Sequence, residues 1–198
     1  MLPGALVILT LTCLVSLTGL FVAPQLIVRS LFRPYWLVRR AEYTRLITSG
    51  FVHADVGHLL FNAITFYSFA FLLERHMGTP QFLTLYFSGL LLGNVGTYFK
   101  HRNDPNYACL GASGAILAVM FASIIYFPSQ RLIIIPIPLP IPAPLFALGY
   151  LAFTYYSARQ SRDKINHDAH LGGALTGLAF VAVTDPGAYR SLFATLFA

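Results

Sequence analysis

The stretch Gly111-Ala112-Ser113-Gly114-Ala115-Ile116-Leu117-Ala118 opens an apolar run that continues to Phe127. A second stretch, Ala169-His170-Leu171-Gly172-Gly173, opens another that reaches Val183. A hydroxyl and an imidazole at the mouths of two membrane-type segments are costly to place there, so each needs a chemical reason. Together they are the raw material of a nucleophile–base pair. A serine hydroxyl is a weak nucleophile until an adjacent base takes its proton. Imidazole, with an unperturbed pKa of about 6.5, suits that task at neutral pH.

Outward from these two stretches the chain reads as membrane-embedded. Of its 198 residues, 57% are hydrophobic and 10% are charged, with a mean hydropathy of +0.67. Soluble domains carry about 25% charged residues. A spanning helix needs about 20 apolar residues. Six runs approach that length: Ala5 to Ile27, Val56 to Leu73, Gln81 to Phe99, Gly111 to Phe127, Pro144 to Ala158 and Ala169 to Val183. The expected fold is an all-α membrane protein, a six-helix bundle forming a single domain over residues 1–198. The first run lacks a positive start and exceeds the usual signal-peptide core of about 7–15 residues, so it is read as a span. The net charge of +6 comes from basic residues in short loops, which points to the lipid bilayer and its anionic headgroups rather than to nucleic acid.

Two connections have distinctive chemistry. The long loop from Val28 to Asp55 carries Arg29, Arg33, Arg39, Arg40 and Arg45 among Leu31, Phe32, Tyr35, Trp36 and Leu37. It reads as an interfacial, partly helical segment anchored by Trp36 and the arginines. In Pro136-Ile137-Pro138-Leu139-Pro140-Ile141-Pro142, proline at every second position forbids a helix and favours polyproline II or an extended chain. Pro144 then suits the first turn of helix five.

Topology brings the polar residues to one place. If six helices alternate in direction, helices two, four and six all begin on the same side, and these starts carry His58 and Asn62, Ser113, and His170 respectively. His58 and Asn62 are four residues apart and so share a helix face. Helix four, at about 25 Å, is shorter than the hydrocarbon layer of about 30 Å. Ser113 is therefore expected below the surface in a dip open to water, with Asp104, Pro105, Asn106 and Tyr107 lining the way in. Gly114, Ala118 and Ala122 on helix four, and Gly173 and Gly177 on helix six, let backbones come close and bring Ser113 within reach of His170. Gly89 and Gly93 on helix three read as ordinary bundle packing. Acyl transfer also needs donors for an oxyanion. Asn62 offers an amide, His58 an imidazole, and the first turn of helix four its unpaired N–H groups.

The remaining candidates carry less. Asp168, two residues before His170, points away from it on a helix and reads as a loop or cap residue. His167 could reach the same cavity but reads as interfacial, and His53, His76 and His101 read as loop residues. Cys13 and Cys109 have no metal spacing and read as unrelated thiols. The G-x-S-x-G elbow of soluble hydrolases needs a preceding strand, and none is readable. Neither H-E-x-x-H nor a zinc-type cluster occurs, so no metal is expected. A transporter would need intramembrane charges, and the helix interiors as read contain no Asp, Glu, Lys or Arg. A non-enzymatic binder of membrane proteins on the same scaffold is the other rival.

Taken in order, Glu42-Tyr43-Thr44-Arg45, His53, His58-Leu59-Leu60-Phe61-Asn62, Glu74, Gly111-Ala112-Ser113-Gly114, and Ala169-His170-Leu171-Gly172-Gly173 with Gly177 resemble the rhomboid family of intramembrane serine proteases. The likeness runs from about Glu42 to Val183, the expected catalytic core. It implies a six-helix, cofactor-free Ser–His protease that hydrolyses a peptide bond in or near a transmembrane segment of a membrane protein substrate. It implies Ser113 as nucleophile and His170 as general base and acid. His58, Asn62 and the Ser113 backbone N–H would surround the oxyanion. Arg45 and Glu74 would be structural, and no third acid is implied. One position departs: the family's aromatic one turn after the serine, which packs on the histidine, is Leu117 here, leaving Phe121 or another aromatic to compensate. The likeness leaves substrate identity and oligomeric state open. The site-bearing face carries Arg29, Arg33, Arg39, Arg40, Arg45, Lys100, Arg102, Arg159, Arg162 and Lys164, against Arg75, Arg131 and Arg190 opposite. The positive-inside rule points that face to the cytoplasm. The resemblance points it to the outer side of a bacterial inner membrane, which is the expectation adopted.

Overall fold

A computed structural model of the chain describes residues 2–134, 137–160 and 165–197. Pro136, Arg162 and Lys164 lie outside the described residues.

Helix α1 (Gly4–Phe21) starts against a buried carboxylate. Gly4 N donates to Glu74 Oε1 at 2.6 Å, Ala5 N to Glu74 Oε2 at 2.9 Å, and Thr79 Oγ1 to Oε1 at 2.6 Å. First-turn N–H groups lack acceptors within a helix, and an anion there complements the helix dipole. The first apolar run does not stay one helix to Ile27. It breaks at Val22 and Ala23, and α2 (Pro24–Ser30) folds back so that Ile27 lies on Gly19. Pro24 is the cause, because it has no N–H to continue the ladder and biases Ala23 away from helix.

The loop after it is partly helical: α3 (Pro34–Arg39), α4 (Arg45–Thr48) and a 3₁₀ turn at Ser49–Phe51. Asp55 caps α5 (Val56–Met77) by accepting from His58 N at 2.8 Å. A single residue, Gly78 at φ +82°, links α5 to α6 (Thr79–His101), a conformation glycine adopts without strain. Because α5 and α6 run further than the apolar runs, Glu74, Arg75 and Lys100 fall inside helices, in contrast to the charge-free interiors expected.

Helix α7 (Ser113–Tyr126) is central. Every residue from Gly114 to Ile125 is buried, as befits a helix apolar on all sides. It starts at Ser113 rather than Gly111, since Gly111 has φ +112°. The proline-rich stretch takes the extended option. Strand β2 (Ile137–Pro142) pairs antiparallel with β1 (Arg131–Ile134), with Pro142 opposite Arg131 and Pro140 opposite Ile133. Helix α8 (Ala143–Gln160) follows, with Pro144 in its first turn, then α9 (His167–Thr184) and α10 (Ala188–Phe197).

Helices thus occupy all six stretches read as spans. By length and composition, α1, α5 and α6 can cross a membrane, and α9 with α10, bent by 114°, makes a fourth if the pair is one span. Helix α7 is apolar but has 14 residues, about 21 Å of rise.

Candidate active site

The N-terminal ends of α5, α7 and α9 meet at one cavity of about 880 Å³, whose walls include His58, Asn62, Ser113 and His170. All four sequence-derived site residues therefore share one space. Glycine contacts bring them there. A Cβ on Gly173 would collide with the Gly114 carbonyl, and one on Gly177 with the Ala118 carbonyl. The α7 and α9 backbones touch, and Gly114 and Ala169, the neighbours of Ser113 and His170, lie at that contact. Gly93 of α6 sits at the same junction, 3.2 Å from Ala169 O and 3.5 Å from Gly114 Cα measured from an ideal Cβ. The α6 glycines therefore belong to the packing beneath the site.

The loop before Ser113 is held by backbone hydrogen bonds to the first loop. Phe32 N donates to Cys109 O at 2.9 Å, Cys109 N to Phe32 O at 3.0 Å, and Gly111 N to Ser49 O at 2.9 Å. Arg45 supports this frame through Leu31 O at 3.3 Å and an ion pair with Glu42 at 3.0 Å. Helix α7 begins on Ala112 with no side-chain cap, which leaves first-turn N–H groups at the cavity. The His58 ring lies against Gly111: an ideal Cβ there would stand 2.9 Å from His58 Cε1 and 3.0 Å from Nε2. Asn62 is buried and donates one amide hydrogen to His58 O at 2.9 Å, leaving the other for the cavity.

His53 backs His58, with ring centroids 4.8 Å apart at 76°. It is fully buried, and its Nδ1 is 2.9 Å from Ser16 Oγ on α1. Because the Ser16 hydroxyl donates to Phe51 O at 2.9 Å, His53 Nδ1 is the donor to Ser16. Burial, then the neighbouring His58, holds the His53 pKa down to about 4, with Asp55 working the other way. Burial likewise pushes the Cys109 thiol up to about 11, against hydrogen bonds from Tyr107 and Asn166. Cys109 and Cys13 are both free thiols.

Several smaller expectations are corrected. The way in is lined by Tyr107, Ala108, Cys109 and Leu110, of which only Tyr107 was expected, whereas Asp104, Pro105 and Asn106 are exposed outside the lining. His167 is buried in the cavity wall, and its ring meets that of His170 edge-on at 5.9 Å and 78°. His76 and His101 lie in the last turns of α5 and α6, not in loops, where His76 packs on Tyr126 and His101 stacks on Tyr107 at 3.5 Å. Asp168 lies in the first turn of α9 and pairs with Lys100 at 2.8 Å.

Two residues had gone unnoticed. Asn166 caps α9 by accepting from Ala169 N at 3.1 Å, and it takes Thr97 Oγ1 at 2.9 Å and donates to Cys109 Sγ at 3.4 Å. An asparagine just before a helical run is a readable cap signal. Tyr150 of α8 has its hydroxyl 3.1 Å from His170 Nδ1, and no local signal marks it.

A family model for the Rhomboid domain matches residues 40–186. YdcA of Bacillus subtilis (strain 168) is 43% identical over 82 residues, which is 41% of this chain and 40% of that protein. RHOMBOID-like protein 12, mitochondrial, of Arabidopsis thaliana is 31% identical over 165 residues, 73% of this chain and 47% of that protein. Rhomboid protease GluP of Bacillus subtilis (strain 168) is 26% identical over 141 residues, 71% of this chain and 26% of that protein. The chain thus matches less than half the length of these curated relatives. The match covers the helices that meet at the cavity, and this largely helical integral membrane protein belongs to the rhomboid family.

Proposed function

We propose that this protein is a multi-pass intramembrane serine endopeptidase with six spans, which cuts a membrane protein in or near a transmembrane segment. The observation that carries this reading is the single cavity that collects Ser113, His170, His58 and Asn62 where α5, α7 and α9 begin. Six spans put those three starts on one side of the membrane, and the shortness of α7 sets Ser113 beneath the lipid surface.

In the proposed reaction, Ser113 Oγ attacks the scissile carbonyl carbon while His170 Nε2 takes the hydroxyl proton. The carbonyl oxygen becomes an oxyanion, met by the Ser113 backbone N–H, the free amide hydrogen of Asn62 and the His58 ring. Collapse breaks the C–N bond, and His170 returns its proton to the leaving amine. A water from the cavity then attacks the acyl-enzyme carbonyl as His170 takes its proton; the C–Oγ bond breaks, the acid product leaves, and His170 returns the proton to Ser113 Oγ. Substrate enters between α5 and α8, whose Phe61, Thr65, Tyr150 and Ser157 line the cavity. No metal or cofactor takes part.

Cleavage of a membrane-embedded reporter by the purified protein tests this reading. Ser113→Ala and His170→Ala are each expected to abolish it, together with fluorophosphonate labelling. Persistent cleavage in either variant refutes the assignment. Absence of labelling in the unaltered protein favours the non-enzymatic binder. We place the protein in a bacterial inner membrane with the cavity toward the outer side, following the family pattern against the arginine excess of that face. Modification of the exposed Asn106→Cys in intact cells tests the orientation, and labelling only after permeabilisation reverses it.

A further inference from the structure

Leu117 is buried on α7 and lines the same cavity as His170, but a leucine offers an imidazole no hydrogen bond. Tyr150 of the neighbouring helix does, with its hydroxyl 3.1 Å from His170 Nδ1. The Tyr150 ring packs against two other rings. It stacks on Phe146 at 5.6 Å and 28°, and meets Phe121 of α7, one turn beyond Leu117, at 6.0 Å and 55°. A restrained phenol thus reaches the imidazole from α8.

We propose that Tyr150 is the positioning residue for His170: its phenol oxygen accepts from Nδ1–H and so holds the neutral ring in the tautomer whose lone pair is on Nε2. This inference rests on the reading of His170 as the base. A neutral imidazole has one N–H and one lone pair, and the hydrogen bond at one nitrogen decides which nitrogen carries the proton. A base directed at Ser113 through Nε2 needs the proton on Nδ1, and that proton needs an acceptor. The phenol oxygen has lone pairs to offer. It is neutral, so it avoids burying a carboxylate in an apolar bundle. After His170 takes the serine proton, Nδ1 still carries its hydrogen and the bond persists, so Tyr150 also favours the imidazolium as a dipole.

The test compares the full-length wild type, Tyr150→Phe and Ser113→Ala in proteoliposomes, with kcat, KM and the pH profile of kcat/KM read on one membrane reporter. Phenylalanine keeps the ring contacts and removes only the acceptor. Tyr150→Phe is expected to lower kcat by roughly tenfold to a hundredfold, to leave KM within about twofold, and to move the acid limb of kcat/KM to lower pH, because the imidazolium loses a partner. Nitrogen-15 spectra of His170 in the unaltered protein are expected to show the Nδ1–H tautomer. Full activity of Ser113→Ala overturns the reading of the site itself. An inactive Ser113→Ala beside a Tyr150→Phe with wild-type kcat or an unmoved acid limb overturns this inference alone, as does an Nε2–H tautomer in the wild type.

Discussion

At Gly111 two constraints fall on one residue. Its φ of +112° is strained for any side chain, and a Cβ would press on the His58 ring at about 3 Å. Gly111→Ala is therefore expected to displace the His58 ring, the proposed oxyanion donor, and to lower kcat/KM by roughly tenfold or more, measured by reporter cleavage, while the protein remains folded. Glu74 makes a different residue-scale case. Its carboxylate is buried and accepts from two backbone N–H groups of α1 and from Thr79. Glu74→Gln keeps the shape but removes the charge, and is expected to cost about 1–2 kcal/mol, read as a lower unfolding temperature in detergent. At this scale the sequence was informative wherever a polar residue stood at the mouth of an apolar run. Ser113, His170, His58 and Asn62 stood out for that reason. Tyr150 did not, because Phe146, Phe153, Tyr155 and Tyr156 surround it and nothing local separates a ring that meets a histidine from rings that meet lipid.

At the scale of elements, the contact between α7 and α9 decides whether Ser113 and His170, the proposed nucleophile and base, meet. Gly177 lies on the Ala118 carbonyl with no room for a side chain. Gly177→Leu is expected to part the helices, abolish cleavage and lower the unfolding temperature. Gly149, in α8, has nothing within 4 Å of an ideal Cβ and an unstrained backbone. Gly149→Ala is expected to keep activity and to stabilise by about 0.5–1 kcal/mol, the usual gain from removing a glycine inside a helix. The small-residue spacing was legible in the sequence, and on helices four and six so was the close approach it permits, since Gly173 meets Gly114 and Gly177 meets Ala118. Gly89 and Gly93 have the same spacing as the helix-six pair, and only their contacts with Ala118, Gly114 and Ala169 place α6 beneath the site. The break before Pro24 is carried by the proline itself, whose missing N–H ends the ladder although hydropathy runs on through Val22 and Ala23.

Across the whole molecule, buried polar groups join distant segments. Ser16 of α1 holds His53 of the first loop, and His53 meets His58 of α5. Because burial holds His53 to a pKa of about 4 against the ordinary 6.5, the unfolded chain binds a proton that the folded chain refuses in the window between them. The contribution of neutral His53 to stability is full above about 6.5 and is lost as pH falls toward 4. The unfolding temperature is expected to drop through that window, and His53→Asn to flatten the drop. Lys100 joins three helices at the cavity rim, through Asp168 at 2.8 Å and Ala158 O at 2.6 Å. It is partly exposed, so Lys100→Met is expected to change stability by less than about 1 kcal/mol.

The sequence by itself determined that this chain is helical and lipid-embedded, and which hydroxyl, imidazole and amide were out of place in such surroundings. Composition and local spacing suffice for that, because a residue's compatibility with lipid depends on its own chemistry. The tertiary structure alone decided that His53 lies buried behind His58 and that the phenol of Tyr150 meets Nδ1 of His170. Those outcomes depend on which helices touch and at what separation, and that separation is set by backbone-to-backbone contacts between segments far apart in the chain.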